Sequence, residues 1–259
     1  MGKLRELLSY RDLIKNLVFK DLKLKYRNSV LGFLWSLLNP MMLITMYTVA
    51  FKYIMRAANT ENYTYFLMVG LLPWTFFAGS VLAATMSIIG SGGLIKKVYF
   101  PREVLPISKV LFSLAQWILA MLVFLPALVI LGHVPVRWPA LLFLPILILH
   151  VLFTIGVSLV LAAITPTYRD VAHFVELALQ MLFWATPIIY QASQAPRAIQ
   201  ILFHISPLAA FTTAYQDVLF LGVLPSPPVL ISTTVWAVIA LLVGHAVFQH
   251  YDDGLAEAV

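Results

Sequence analysis

The sequence predicts an all-α integral membrane protein: an N-terminal amphipathic interface helix, six transmembrane helices, and a short outer helical hairpin between helices 5 and 6. Three observations carry this. Only 11% of the 259 residues are charged while 61% are hydrophobic, whereas soluble domains are about a quarter charged. Apolar windows of about 20 residues recur along the chain, the length a helix needs to cross a hydrocarbon core of about 30 Å. The Lys and Arg residues, finally, fall mostly into alternate connections between those windows.

Residues 1–30 interleave charge with apolar side chains and lack the uninterrupted apolar run of a signal peptide. Leu7, Tyr10, Ile14, Leu17 and Val18 recur at helical spacing, with Arg11, Lys15, Lys20 and Lys23 largely on the other side. That is the pattern of a helix lying in the membrane interface or packing on a partner. Spans are expected at about 31–55, 65–90, 106–132, 139–165, 171–190 and 226–249, forming one transmembrane domain over 31–250 with a tail at 251–259. Pro40 lies inside the first span, where a kink is expected. The third and fourth spans are joined by His133 to Trp138, the fourth and fifth by TPTYRD, Thr165 to Asp170.

Between Gln191 and Gly222 the chain is apolar but broken by Pro196, Arg197, His204, Pro207 and Asp217. Two short helices, about 197–205 and 209–221, either lie on the outer surface or dip into the membrane and return; irregular backbone at that depth survives only against protein or a water-filled cavity. With the N-terminus inside, thirteen of the seventeen Lys and Arg residues are cytosolic. The bias of basic residues toward cytoplasmic loops then places both termini in the cytosol. The net charge of +6 is accounted for by this orientation and calls for no nucleic acid.

No G-x-x-x-x-G-K-[ST] loop is present; GSGG at Gly90 to Gly93 lacks the Lys-Ser/Thr that would hold phosphates and Mg²⁺. The chain is therefore expected not to hydrolyse ATP itself. Cysteine is absent and the six histidines are scattered, so no metal or catalytic cluster is read. Glu176 is the clear ionisable residue inside a span; it is either functional at membrane depth or paired with His173 or Arg169. Tyr63, Tyr65, Trp74 and Trp138 fall near span boundaries, where an interfacial aromatic belt accounts for them. Trp35, Tyr47, Phe51, Phe183, Trp184 and Tyr190 either pack against lipid and neighbouring helices or line a route for sugars, whose apolar faces stack on rings.

Four stretches taken in order, KYRNSVLGFLWSLLNP, GLIKKVYFPREVLPIS, TPTYRDVAHFVELALQ and TPIIY with a later Ser-Pro, resemble the membrane subunits of ABC-2 type polysaccharide exporters, the O-antigen and teichoic-acid permeases. The resemblance runs over nearly the whole chain and implies two permease subunits working with two cytosolic ABC ATPase subunits, which alone bind ATP and Mg. It implies a substrate carried on undecaprenyl diphosphate and moved to the periplasmic side of the bacterial inner membrane.

Carried over by residue, the resemblance makes the first cytosolic connection a coupling helix that docks on the ATPase, with Lys96, Lys97, Val98, Tyr99, Phe100, Arg102 and Glu103 as contacts. Lys20, Lys23, Lys25 and Arg27 crowd the cytosolic boundary and are candidates for the diphosphate head group or for attraction to anionic lipid. Trp35, Tyr47, Phe51, Phe183, Trp184 and Tyr190 are candidates for the channel lining, and Arg197, His204, Pro207, Tyr215 and Asp217 for an outer gate. The Tyr168-Arg169-Asp170 turn is read as a structural feature of the family. Many relatives have Ser-Pro, Asn-Pro and Tyr-Arg where this chain has Thr186-Pro187, Ser206-Pro207 and Tyr215-Gln216, which weakens a charge-based role for the outer segment. A secondary transporter, the alternative, would need a coupling-ion site, toward which only Glu176 and the outer hairpin point.

Overall fold

A computed structural model describes residues 9–256 other than 28, 30, 33, 57–61 and 131–136, with the side chains of 127–129, 204, 253 and 256 also outside that description. The expectations for residues 1–8, for His133 and for 257–259 lie outside the described residues.

The first helix, α1 (Arg11–Tyr26), turns Leu17 inward and leaves Arg11, Lys15, Lys20 and Lys23 exposed, as its amphipathic pattern requires. Its apolar side joins a cluster with Phe100, Val104, Leu105, Leu159 and Phe248. A polar contact fixes it lengthwise, Lys109 Nζ donating to Asp21 Oδ2 at 2.6 Å.

Helix α2 (Leu34–Thr48) runs through Pro40 and is continued by a π-helical turn, Val49–Ile54. Helix α3 (Tyr63–Thr85) ends earlier than expected. It gives way to a 3-10 turn, Ile89–Ser91, and the single turn α4 (Gly92–Ile95), because Gly90, Gly92 and Gly93 are poor helix formers. Next come α5 (Val104–Ile130) and, after the 3-10 turn Trp138–Leu142, α6 (Phe143–Ile164). The last long helix, α10 (Pro227–Asp252), ends in a 3-10 turn, Asp253–Ala256. With their flanking turns, the spans at α2, α3, α5, α6 and α10 are each long and apolar enough to cross a membrane.

Helix α3 is apolar on every side and correspondingly buried, packed among α2, α5, α6 and the outer hairpin. Helices α6 and α10 pack most intimately, because Gly156 and Gly244 face each other: a Cβ built at 244 would lie 2.3 Å from Gly156 O. Small residues let membrane helices bring their backbones this close.

The fifth span departs from expectation. Helix α7 (Val171–Ala185) has 15 residues, a length of about 22 Å, too short to cross alone. Pro187 forces Thr186 out of the helical region, to φ −101° and ψ 138°, and residues 186–190 continue without helix. Yet Tyr63 Oη, at the start of α3, donates to Ile189 O at 2.8 Å, so the chain does reach the far end. This irregular stretch is buried. Gln216 Nε2 donates to Pro187 O at 2.9 Å, and Gly70 leaves room for it, a Cβ there meeting Ile188 O at 3.3 Å.

The outer hairpin forms as two helices, α8 (Arg197–Ile205) and α9 (Pro207–Tyr215), whose arms meet at 89°. Ser206 caps α9 by accepting from Ala209 N at 3.4 Å, with Pro207 at the first helical position, where its missing N–H does no harm. A π turn, Gln216–Leu221, closes at Gly222, whose φ of +65° suits glycine. Helix α8 exposes Ile201, Leu202 and Ile205, while α9 is buried. Tyr215 Oη reaches within 3.4 Å of His150 Nδ1. His150 is seven residues into α6, about 10 Å along its axis. One arm is therefore superficial and the other re-enters the bundle.

Candidate docking segment and translocation groove

At the end of the bundle that holds α1 and the C-terminus of α10, residues 96–103 form an arm with a foot. Lys96, Lys97, Val98 and Tyr99 are exposed, Tyr99 to 90%. A hollow of about 460 Å³ lies between this stretch and Asp252. The foot turns the other way. Phe100 is buried in the cluster with Leu17, Phe248 and Leu255. Arg102 Nη1 donates to the backbone oxygen of Asp252 and lies 3.3 Å from its carboxylate. Glu103 is buried, with its Oε1 3.0 Å from His245 Nδ1. Phe100, Arg102 and Glu103, three of the expected partner contacts, are turned toward the body by apolar burial and by pairing to α10.

Of the basic residues at this boundary, Lys20, Lys23 and Arg27 are exposed. Lys25, also exposed, donates to Gln116 Oε1 on α5, and partial desolvation of its ammonium lowers its pKa from the ordinary lysine value. It borders a cavity of about 250 Å³ that Trp35, Ser36, Asn39 and Thr75 also line. Trp35 therefore stands apart from the other aromatic residues with which it was grouped.

Those residues gather elsewhere. An open groove of about 630 Å³ crosses α2, α3 and α7, lined by Tyr47, Trp74, Thr75, Glu176, Gln180, Phe183 and Trp184 among others. Ring centroids lie 5.5 Å apart for Tyr47 and Phe183, 5.7 Å for Trp74 and Phe183, and 5.5 Å for Phe183 and Trp184. Phe51 extends the patch, 6.3 Å from Tyr47 and 6.4 Å from Trp184. Tyr190 sits beyond it, donating to Trp184 O at 3.0 Å with its ring 6.2 Å from Phe203. On α7 the positions 176, 180 and 184 follow at four-residue spacing and so share a face. Glu176 is exposed on that face, and no ion pair to His173 or Arg169 forms among the described residues. Sequence reasoning assigned Trp74 to an interfacial belt and passed over Thr75 and Gln180; their place in the groove depends on how α3 and α7 are rotated.

The outer-gate candidates separate. Arg197 is exposed, Pro207 starts α9 and Asp217 is half-buried. Tyr215 is fully buried, its Oη within 3.4 Å of His150 Nδ1, and ties the hairpin to α6. The side chain of His204 lies outside the described residues.

Among the described residues no group of His, Asp and Glu is arranged to hold a metal ion. A multi-pass helical bundle, a groove lined by rings and polar side chains, and an exposed arm at one end give the architecture of a membrane transport protein. The chain belongs to the ABC-2 type transporter family, whose sequence profile matches residues 12–220. It is 35% identical over 260 residues to the O-antigen export system permease protein RfbA of Myxococcus xanthus, covering 98% of each chain. An RfbA of Klebsiella pneumoniae is 33% identical over 248 residues, covering 95% of this chain and 94% of that one. A second from the same organism is 34% identical over 215 residues, covering 82% of each.

Proposed function

We propose that this chain is the membrane-spanning, channel-forming subunit of an ATP-driven exporter that moves an O-antigen-like, lipid-linked polysaccharide out of the cytosol. The observation that carries this reading is the groove across α2, α3 and α7. Rings of Tyr47, Trp74, Phe183 and Trp184 offer faces for sugar rings, and Thr75, Glu176 and Gln180 offer hydrogen bonds to hydroxyls. Stacking tolerates many sugars and fixes none, which suits a polymer that must slide. The groove is open along one side, and a second copy of this chain closes it into a channel.

Two copies of a cytosolic ABC ATPase, binding ATP and Mg, dock on the exposed arm Lys96–Tyr99. Both termini face the cytosol across the bacterial inner membrane, a placement supported by the Lys and Arg bias and by the shared end of α1 and α10. The polysaccharide travels on undecaprenyl diphosphate, and Lys20, Lys23, Lys25 and Arg27 supply cations near its charged head. The named relatives, alike over most of their length, support the substrate class.

Tyr47→Ala and Trp184→Ala are expected to lower polysaccharide at the cell surface about tenfold or more, equivalent to roughly 1.4 kcal/mol on the limiting step. The amount of chain in the membrane and the ATPase that co-purifies with it are expected to stay unchanged. Normal export in both variants would refute the groove as the route.

A further inference from the structure

The docking arm does not end where the partner touches it. Behind the exposed Lys97, Val98 and Tyr99, three consecutive features tie the chain to α10: Phe100 buried beside Phe248 and Leu255, Arg102 paired with Asp252, and Glu103 paired with His245. A hollow of about 460 Å³ lies between this stretch and Asp252, and the two ion pairs to α10 come from Arg102 and Glu103.

The polar part of this foot runs in series. Gln249 Nε2 lies 2.8 Å from His245 Nε2, and His245 Nδ1 lies 3.0 Å from Glu103 Oε1. Glu103 immediately precedes the first turn of α5, its carbonyl accepting from Ile107 N at 3.2 Å, and its carboxylate is favourably placed beside the positive end of that helix. Arg102 grips Asp252 at two points, the backbone oxygen and the side chain. Truncating Arg102 or Asp252 removes this charge-assisted contact at a half-buried site, the costly outcome for such pairs.

From these contacts we infer that residues 100–103 and the C-terminal end of α10 form a transmission clamp: Arg102–Asp252 and Glu103–His245 make α10 move as one body with the docking arm. Helix α6 follows, since its Gly156 leaves no clearance from Gly244. A push on Tyr99 is thereby delivered along two long helices, one of which holds Tyr215 of the outer hairpin through His150. In this clamp Arg102, Glu103, His245 and Asp252 act as positioning residues. The inference rests on the reading of Lys96–Tyr99 as the ATPase-docking surface.

The test is made on the full complex with the ATPase that co-purifies with the chain. Arg102→Asp and Asp252→Arg singly are expected to keep that ATPase bound and hydrolysing ATP while export falls about tenfold or more. The double exchange R102D/D252R restores the opposite charges and is expected to recover most of the export. A conservative pair gives a second readout: His245→Gln, which keeps a polar side chain beside Glu103, retains more export than His245→Ala. Thermal unfolding in detergent separates loss of coupling from loss of fold. Wild-type export in the single variants, or no recovery in the double exchange, would overturn the clamp. So would release of the ATPase by either single variant, because the pair would then be part of the docking contact itself. The docking reading fails separately, if Tyr99→Ala leaves ATPase binding intact.

Discussion

Gly156→Leu or Gly244→Leu is expected to abolish recovery of the folded protein from membranes. A Cβ at 156 would lie 2.2 Å from the carbonyl carbon of Ala240, and one at 244 would lie 2.3 Å from Gly156 O. These are backbone atoms of two packed helices, so no side chain can swing away. Overpacking by methylenes alone costs about 1–3 kcal/mol, and here α6 and α10 must also separate, which removes a share of a stability that is typically about 5–15 kcal/mol. Even alanine at either position meets the same atoms. Gly79→Ala is the control: nothing lies within 4 Å of its Cβ, and alanine favours the helix. Detergent extraction followed by size-exclusion chromatography reads the difference. A Gly156→Leu variant that elutes as wild type would show that the two helices do not touch there.

The second large effect is expected at the arm. Tyr99 is 90% exposed, an aromatic with two side-chain torsions and no shelter, the kind of residue that dominates binding energy once a partner covers it. Tyr99→Ala combined with Lys97→Glu is expected to reduce the co-purifying ATPase about a hundredfold, roughly 2.7 kcal/mol, and to abolish export. Lys52→Gln, in the π turn at the far end of α2, is expected to leave both unchanged. Retention of the ATPase by the double variant would move the docking surface elsewhere.

Much of the architecture was legible in the chain because length and apolar content decide what crosses a bilayer. The five long helices start and stop within a few residues of the expected spans, and the broken stretch after Gln191 is indeed two helices. The fifth span was legible only in part. Pro187 signals a helix end locally, but that the following residues stay buried depends on Gly70 and Gln216, far away in sequence. The charges at 102 and 103 illustrate the same point. In a short connection they read as contacts, yet Arg102 finds its partner 150 positions on, at Asp252. Trp35 and Trp74 exchanged places for a rotational reason: both lie in apolar helices, and only the packing of α2 and α3 decides which ring faces the groove. The docking arm was visible as a concentration of charge, whereas its division into exposed arm and buried foot was not.

The absence of native cysteine permits the most direct test of the central claim, that glycan passes along the groove of α2, α3 and α7. A single cysteine at Gln180, carrying a benzophenone that inserts into C–H bonds, is illuminated while the complex exports radiolabelled polysaccharide. The same probe at Leu144, exposed on α6, serves as comparison. Glycan attached at 180 in an ATP-dependent manner, with none at 144, is the expected result. Continued export with no glycan attached at 180, or equal attachment at both positions, would contradict the groove as the translocation path.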